Sequence, residues 1–132
     1  MKKQYFINAN IIDPHNSLNE TGGLIIDEEG KIQAIGKKVN SNNLPTREKP
    51  IDLKGKYIFP GIVDMRVFVG EPGYEYKENF RTLSNAALSG GVTSVVTMPN
   101  TDPIIDNVSM VDFLKRRGRD KSKINIYPTA SL

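Results

Sequence analysis

FPGIVDMRVFVGEPG, residues 59–73, is the stretch on which the fold turns. Ile62–Val69 is apolar on both parities except at Asp64 and Arg66. An apolar run of this kind, too short for a helix and rich in β-branched residues, is expected to be a strand covered on both faces, as in a parallel sheet. It runs into Glu71-Pro72-Gly73, where Pro and Gly call for a turn.

Beyond the turn the period changes. Asn79–Ser89 places Phe80, Leu83, Ala86, Ala87 and Leu88 on one side of a helix, and Gly90-Gly91 closes it. Val92–Met98 reads as a second buried strand. Asp106–Arg117 reads as a second helix with Val108, Val111, Phe113 and Leu114 apolar, and Lys123–Ala130 as a third strand. Strand–helix alternation at this spacing predicts right-handed crossovers and a parallel sheet. Residues 57–132 are therefore expected to be an incomplete β/α barrel portion, because a closed (β/α)8 barrel takes about 250 residues. A third strand with nothing after it exposes an apolar edge, which favours the front of a longer protein.

Before the stretch, short strands dominate. Gln4–Ile12, Leu24–Asp27 and Lys31–Ile35 are rich in β-branched and aromatic residues, with a tight turn at Glu28-Glu29-Gly30-Lys31. Ser41–Pro50 is a polar loop, followed by a pair of short strands at Ile51–Leu53 and Tyr57–Phe59. Residues 1–56 are expected to form a small β-sandwich unit, so the fold class is α/β with a β unit in front.

Composition narrows the chemistry. The chain has 132 residues, with a net charge of +3 from Lys and Arg interspersed with Asp and Glu. No basic stripe forms, so nucleic acid is not an expected partner. There is no Cys, which excludes disulfides and thiolate metal sites. The single His, His15, falls in the turn Asp13–Asn16 and is expected at the surface. A zinc site built mainly of imidazoles cannot be assembled from this chain alone. No secretory signal and no apolar run of about 20 residues is visible, so no membrane partner is expected and the cytoplasm is the expected location.

In a β/α barrel, chemistry sits at the C-terminal ends of the strands, here Met65–Gly70, Met98–Thr101 and Thr129–Leu132. The joint pattern PGIVDM (60–65), EPG (71–73), GGVT (90–93) and MPNTDP (98–103) resembles the start of a dihydroorotase. That family belongs to the cyclic amidohydrolases of the metal-dependent amidohydrolase superfamily. The resemblance covers essentially the whole chain but only the front of a family member. It implies a protein of pyrimidine biosynthesis, whose family reaction is reversible hydrolysis of dihydroorotate to N-carbamoyl aspartate. It also implies zinc held in part by an H-x-H pair at the end of the first barrel strand, and an Arg and the Asn of MPNT holding the substrate carboxylate.

Mapped onto this chain, the two His positions are Arg66 and Phe68, and the Arg position is Gly70. Asp64, Glu71, Pro72, Gly73 and Asn100 are retained. Neither a guanidinium nor a phenyl ring has a lone pair for a metal. The chain is thus expected to hold no metal ligand, catalytic residue or cofactor of its own, and to catalyse no hydrolysis alone. Similar homologues that lack the ligands are pseudoenzymes and structural partners of aspartate transcarbamoylase, which is the partner the resemblance implies here. A small-molecule substrate is implied if the full-length parent is active, and assembly as a homo-oligomer stays open.

Arg66 and Asn100 are the candidate substrate-binding residues. Arg66 is either a cation in the metal's place or the ion-pair partner of Asp64, Glu71 or a carboxylate elsewhere in a longer barrel. Parity with Arg66 aims Asp64 into the barrel. Phe68 is read as core filling ahead of a ligand-stacking platform. Asn100 either contacts a small molecule or caps the turn of Asn100–Pro103. The basic residues Lys115, Arg116, Arg117, Arg119, Lys121 and Lys123 are read as a solvated helix end ahead of a partner-binding face.

Overall fold

A computed structural model describes residues 1–45 and 49–131. Part of the loop expected over Ser41–Pro50, and the last residue of the strand end Thr129–Leu132, lie outside the described residues. The chain divides into two compact units, Met1–Pro60 and Gly61–Leu132.

The first unit is built on β1 (Gln4–Asp13), which buries Tyr5, Ile7, Ala9 and Ile11 on its alternate positions. β2 (Leu18–Ile26) pairs with it antiparallel, and β3 (Ile32–Gly36) pairs antiparallel with β2. The short strands β4 (Ile51–Asp52) and β5 (Tyr57–Ile58) both lie parallel to β1. Residues 57–58 pair with β1 within this unit.

The second unit is a three-stranded parallel sheet in the order β6-β7-β8, formed by Ile62–Val67, Val92–Thr97 and Asn125–Pro128. The helices α1 (Phe80–Ser89) and α2 (Val108–Lys121) are the crossovers. Asn79 caps α1 by accepting from the Arg81 and Thr82 N–H groups, while Thr82 Oγ1 accepts from the Asn79 N–H. Asn107 caps α2 by accepting from the Met110 N–H. The core gathers Val69, Phe80, Leu83, Val95, Ile105, Leu114 and Ile124.

β6 departs from expectation. It is an edge strand with Ile62, Val63 and Met65 exposed, not a strand covered on both faces. The physical reason is that the described strands provide β6 with one neighbour, β7. The core draws from β6 only Val67, partly buried, and the Val69 that follows it.

Candidate functional site

The C-terminal tips of β6 and β7 carry the positions on which chemistry depends. Asp64 pairs in register with Val95, and Val67 with Thr97, so three steps along β6 match two along β7. This irregularity breaks the two-residue period between Asp64 and Arg66, and the parity that would aim both alike does not carry across it. The Asp64 carboxylate instead accepts from the Arg66 backbone N–H at 3.0 Å. Arg66 is exposed, and its guanidinium forms no ion pair among the described residues.

Phe68 does not fill the core. It is 39% exposed and leans against Tyr74, with ring centroids 6.2 Å apart. Tyr74 in turn meets the edge of Tyr76, and Lys77 Nζ lies 4.8 Å from the Tyr74 ring. A surface aromatic row thus stands where the sequence suggested an interior side chain.

Gly70 has φ +71°, and its carbonyl accepts from the Tyr74 N–H at 2.6 Å. A Cβ there would lie 2.8 Å from the Tyr74 carbonyl oxygen. Gly73, with φ +94°, packs so closely on Asp102 that a Cβ would lie 2.1 Å from its carbonyl oxygen. The Asp102 N–H donates to the Pro72 carbonyl at 3.2 Å, and so the loops after β6 and β7 are tied together.

Glu71 is buried, at 2% exposure, and it pairs with Arg117 rather than with the Arg66 that the sequence offered as its partner. Its Oε2 accepts from the Phe80 N–H at 3.0 Å, at the positive end of α1. Its Oε1 is paired with Arg117 Nε from α2. That carboxylate raises the Arg117 pKa further above its ordinary value, first through the hydrogen bond and then through its charge. Arg117 is therefore not part of a merely solvated helix end. A signal for it did exist: it lies three residues after Leu114 and one before Gly118, both buried, at the margin of the core face of α2.

Asn100 is exposed, and its side chain has no hydrogen-bond partner among the described residues. Thr101 closes the turn instead: it is buried, and its hydroxyl donates to the Pro103 carbonyl at 2.9 Å. His15 is exposed in its turn, where its backbone N–H donates to Asp13 Oδ1 at 3.1 Å.

The donor chemistry does not suit a metal ion. At the tip of β6, Arg66 and Phe68 offer no lone pair. Among the described residues, no group of three or more His, Cys, Asp or Glu gathers where a metal could be held.

A family model described as dihydro-orotase-like matches residues 55–132. The dihydroorotase of Syntrophus aciditrophicus (strain SB) is 41% identical over 122 residues, spanning 92% of this chain and 28% of that protein. The dihydroorotase of Wolbachia sp. subsp. Brugia malayi (strain TRS) is 42% identical over 125 residues, spanning 94% of this chain and 28% of that protein. Among solved structures, the L-hydantoinase (dihydropyrimidinase) from Arthrobacter aurescens matches with a TM-score of 0.78 at 20% identity, over 98% of this chain and 28% of that one. At that identity the likeness is one of fold. The chain spans about 28% of the length of the curated relatives it matches.

Proposed function

From the premise that this chain belongs to the dihydroorotase-like family and has the fold of the first part of a (β/α)8 amidohydrolase barrel, we propose that it is the N-terminal portion of a non-catalytic dihydroorotase homologue. The observation that carries this reading is the tip of β6. Arg66 and Phe68 stand where the family resemblance implies an imidazole pair, and Gly70 where it implies an Arg. The loop that follows is nevertheless fully built, with Glu71 held between Arg117 and the start of α1. A scaffold kept intact around an emptied donor set fits a protein retained for assembly. The family's zinc would supply an activated water and polarise the ring carbonyl. Neither Arg66 nor Phe68 at this strand end has a lone pair to hold it.

The partner this reading favours is aspartate transcarbamoylase, in the cytoplasmic setting of pyrimidine biosynthesis. The test uses the full-length parent. Elemental analysis is expected to find no stoichiometric metal. Dihydroorotate is expected to pass unchanged with zinc added, and transcarbamoylase to co-purify. Stoichiometric metal together with turnover of dihydroorotate would overturn the proposal.

A second reading, small-molecule binding without hydrolysis, is favoured by one observation: Asn100 is exposed while Thr101 closes its turn. Asn100 and Arg66 would then hold an acid such as dihydroorotate or carbamoyl aspartate. Calorimetry with both acids separates this from a purely structural role, because a saturable heat lost in Asn100→Ala is expected only if the tip binds.

A further inference from the structure

Beside the Glu71–Arg117 pair lies a cleft of about 290 Å³ lined by Glu71, Glu75, Asn79, Arg81, Arg117 and Lys121. Its carboxylates already have partners. Glu71 takes Arg117 Nε and the Phe80 N–H, and Glu75 takes the Gly73 N–H at 3.1 Å. Its cations are less well matched. Arg117 uses only Nε on Glu71, which leaves the outer N–H groups of its fork, and 42% of the side chain is exposed. Arg81 and Lys121 have no carboxylate within ion-pair distance among the described residues.

Arg81 adds a cation to this cleft from α1. It is the second residue of α1, whose first turn holds no acidic residue. A cation there stands at the positive end of the helix dipole, where an anion is preferred. The first N–H groups of that turn are already taken by Asn79 and the Glu71 carboxylate, so an added anion would be held by side chains. Glu71 supplies the anion that this helix end prefers, so Arg81 is left lining the cleft with no carboxylate of its own within ion-pair distance among the described residues.

We infer that this cleft between α1 and α2 binds a small oxyanion of the phosphate class, held by the outer fork of Arg117 with Arg81 and Lys121 around it. A planar guanidinium fork suits two oxygens of one anion, and Lys adds a point charge that tolerates different orientations. The cleft is lined by none of Arg66, Phe68 and Asn100, so the inference stands whether or not the strand tip holds a metal or a substrate.

The test is a titration of the 132-residue chain with inorganic phosphate at constant ionic strength, followed by amide chemical shifts in the loop 71–81, with chloride as the matched control. Saturable shifts are expected with phosphate and not with chloride. Arg81→Gln and Lys121→Gln, both at exposed positions, are each expected to weaken binding about three- to fivefold, and the double variant more. Glu75→Gln removes a lining negative charge and is expected to tighten binding. No saturable shift, or affinity unchanged in Arg81→Gln and Lys121→Gln alike, would overturn the inference.

Discussion

Arg117, on the last turns of α2, is paired through its Nε with Glu71, a buried carboxylate in the loop after β6, 46 residues earlier in the chain. The same carboxylate caps the start of α1 at the Phe80 N–H. One side chain thus joins a strand tip to both helices. The two halves of the pair are not equivalent. Glu71 is enclosed, whereas the Arg117 side chain is 42% exposed. Arg117→Met leaves a buried carboxylate with one backbone donor, and is expected to cost about 3 kcal/mol. Glu71→Gln leaves an Arg that can turn to water while the amide oxygen still meets the Phe80 N–H, and is expected to cost about 1–2 kcal/mol. Urea unfolding of the two variants checks the order. Equal losses would refute the asymmetry of the pair.

The loop 70–73 should resist side chains in a definite order. At Gly73 both the backbone (φ +94°) and the 2.1 Å approach to the Asp102 carbonyl stand against a Cβ. Gly73→Ala must part the loops after β6 and β7, at an expected cost of about 3 kcal/mol. At Gly70 the approach is looser, with the nearest oxygens at 2.8 and 3.0 Å, and Gly70→Ala is expected to cost about 1–2 kcal/mol. Gly70→Arg should fare no better than the Ala variant, so restoring the family's Arg alone strains the loop. Thermal midpoints of the three variants test the ranking, and a Gly73→Ala protein as stable as wild type would refute it.

These two relationships show where the sequence was legible and where it was not. Both helices could be read from local signals. Asn79 and Gly90 bracket α1 as its pattern predicts. α2 starts near its expected place, but it runs on to Lys121 rather than stopping at Arg117. Gly118 is buried within the helix, where a Cβ would lie 2.9 Å from that of Ile126. Its lack of a side chain lets α2 approach β8, which offsets the ~1 kcal/mol that Gly costs a helix. The parallel sheet was legible from strand–helix alternation, and the fold class from the joint motif. The Glu71–Arg117 pair was not, because no local pattern links residues 46 apart. The register break between Asp64 and Val67 was not legible, because an irregular register cannot be seen in one strand's sequence. Phe68 was misread because an aromatic residue in an apolar run implies burial unless its neighbours are known.

Acid should loosen the first unit through three carboxylates. Asp13 is held below the ordinary 3.8 chiefly by the Asn16 side chain. Asp52 is held below the same value chiefly by the Lys54 N–H and then by the Asn8 amide. Glu20 is held below 4.5 chiefly by the Lys37 N–H. A carboxylate whose folded pKa is depressed adds stability above its unfolded value, and that stability is lost as pH falls through the folded value. The first unit is therefore expected to hold steady from neutral pH down to the ordinary carboxylate range, and to weaken below it. Asp52→Asn should flatten part of this fall. Urea midpoints between neutral pH and about pH 3 decide the matter, and an unchanged slope in Asp52→Asn would remove Asp52 from the account.

The exposed face of β6 predicts self-association of the 132-residue chain. Val63 and Met65 are 53% and 68% exposed on an edge strand, beside Ile62 at 45%. An edge strand offers unpaired N–H and C=O groups on its free side, and apolar side chains there give a second copy something to bury. Fully burying a Val or Met side chain gains about 1.5–3 kcal/mol, so even partial cover of a few such residues favours association at high concentration. Asp64 and Arg66 interrupt the apolar run, but their charges are of opposite sign. Two antiparallel copies could place one against the other, so these charges do not act as a barrier. Val63→Lys together with Met65→Lys puts like charges on the strand and should keep copies apart. Sedimentation velocity across a concentration series is the measurement. Wild type is expected to sediment faster as concentration rises, while the double variant stays monomeric with the far-ultraviolet circular dichroism unchanged. A wild-type chain that remains monomeric throughout would show that Asp64 and Arg66 already suffice to protect this edge.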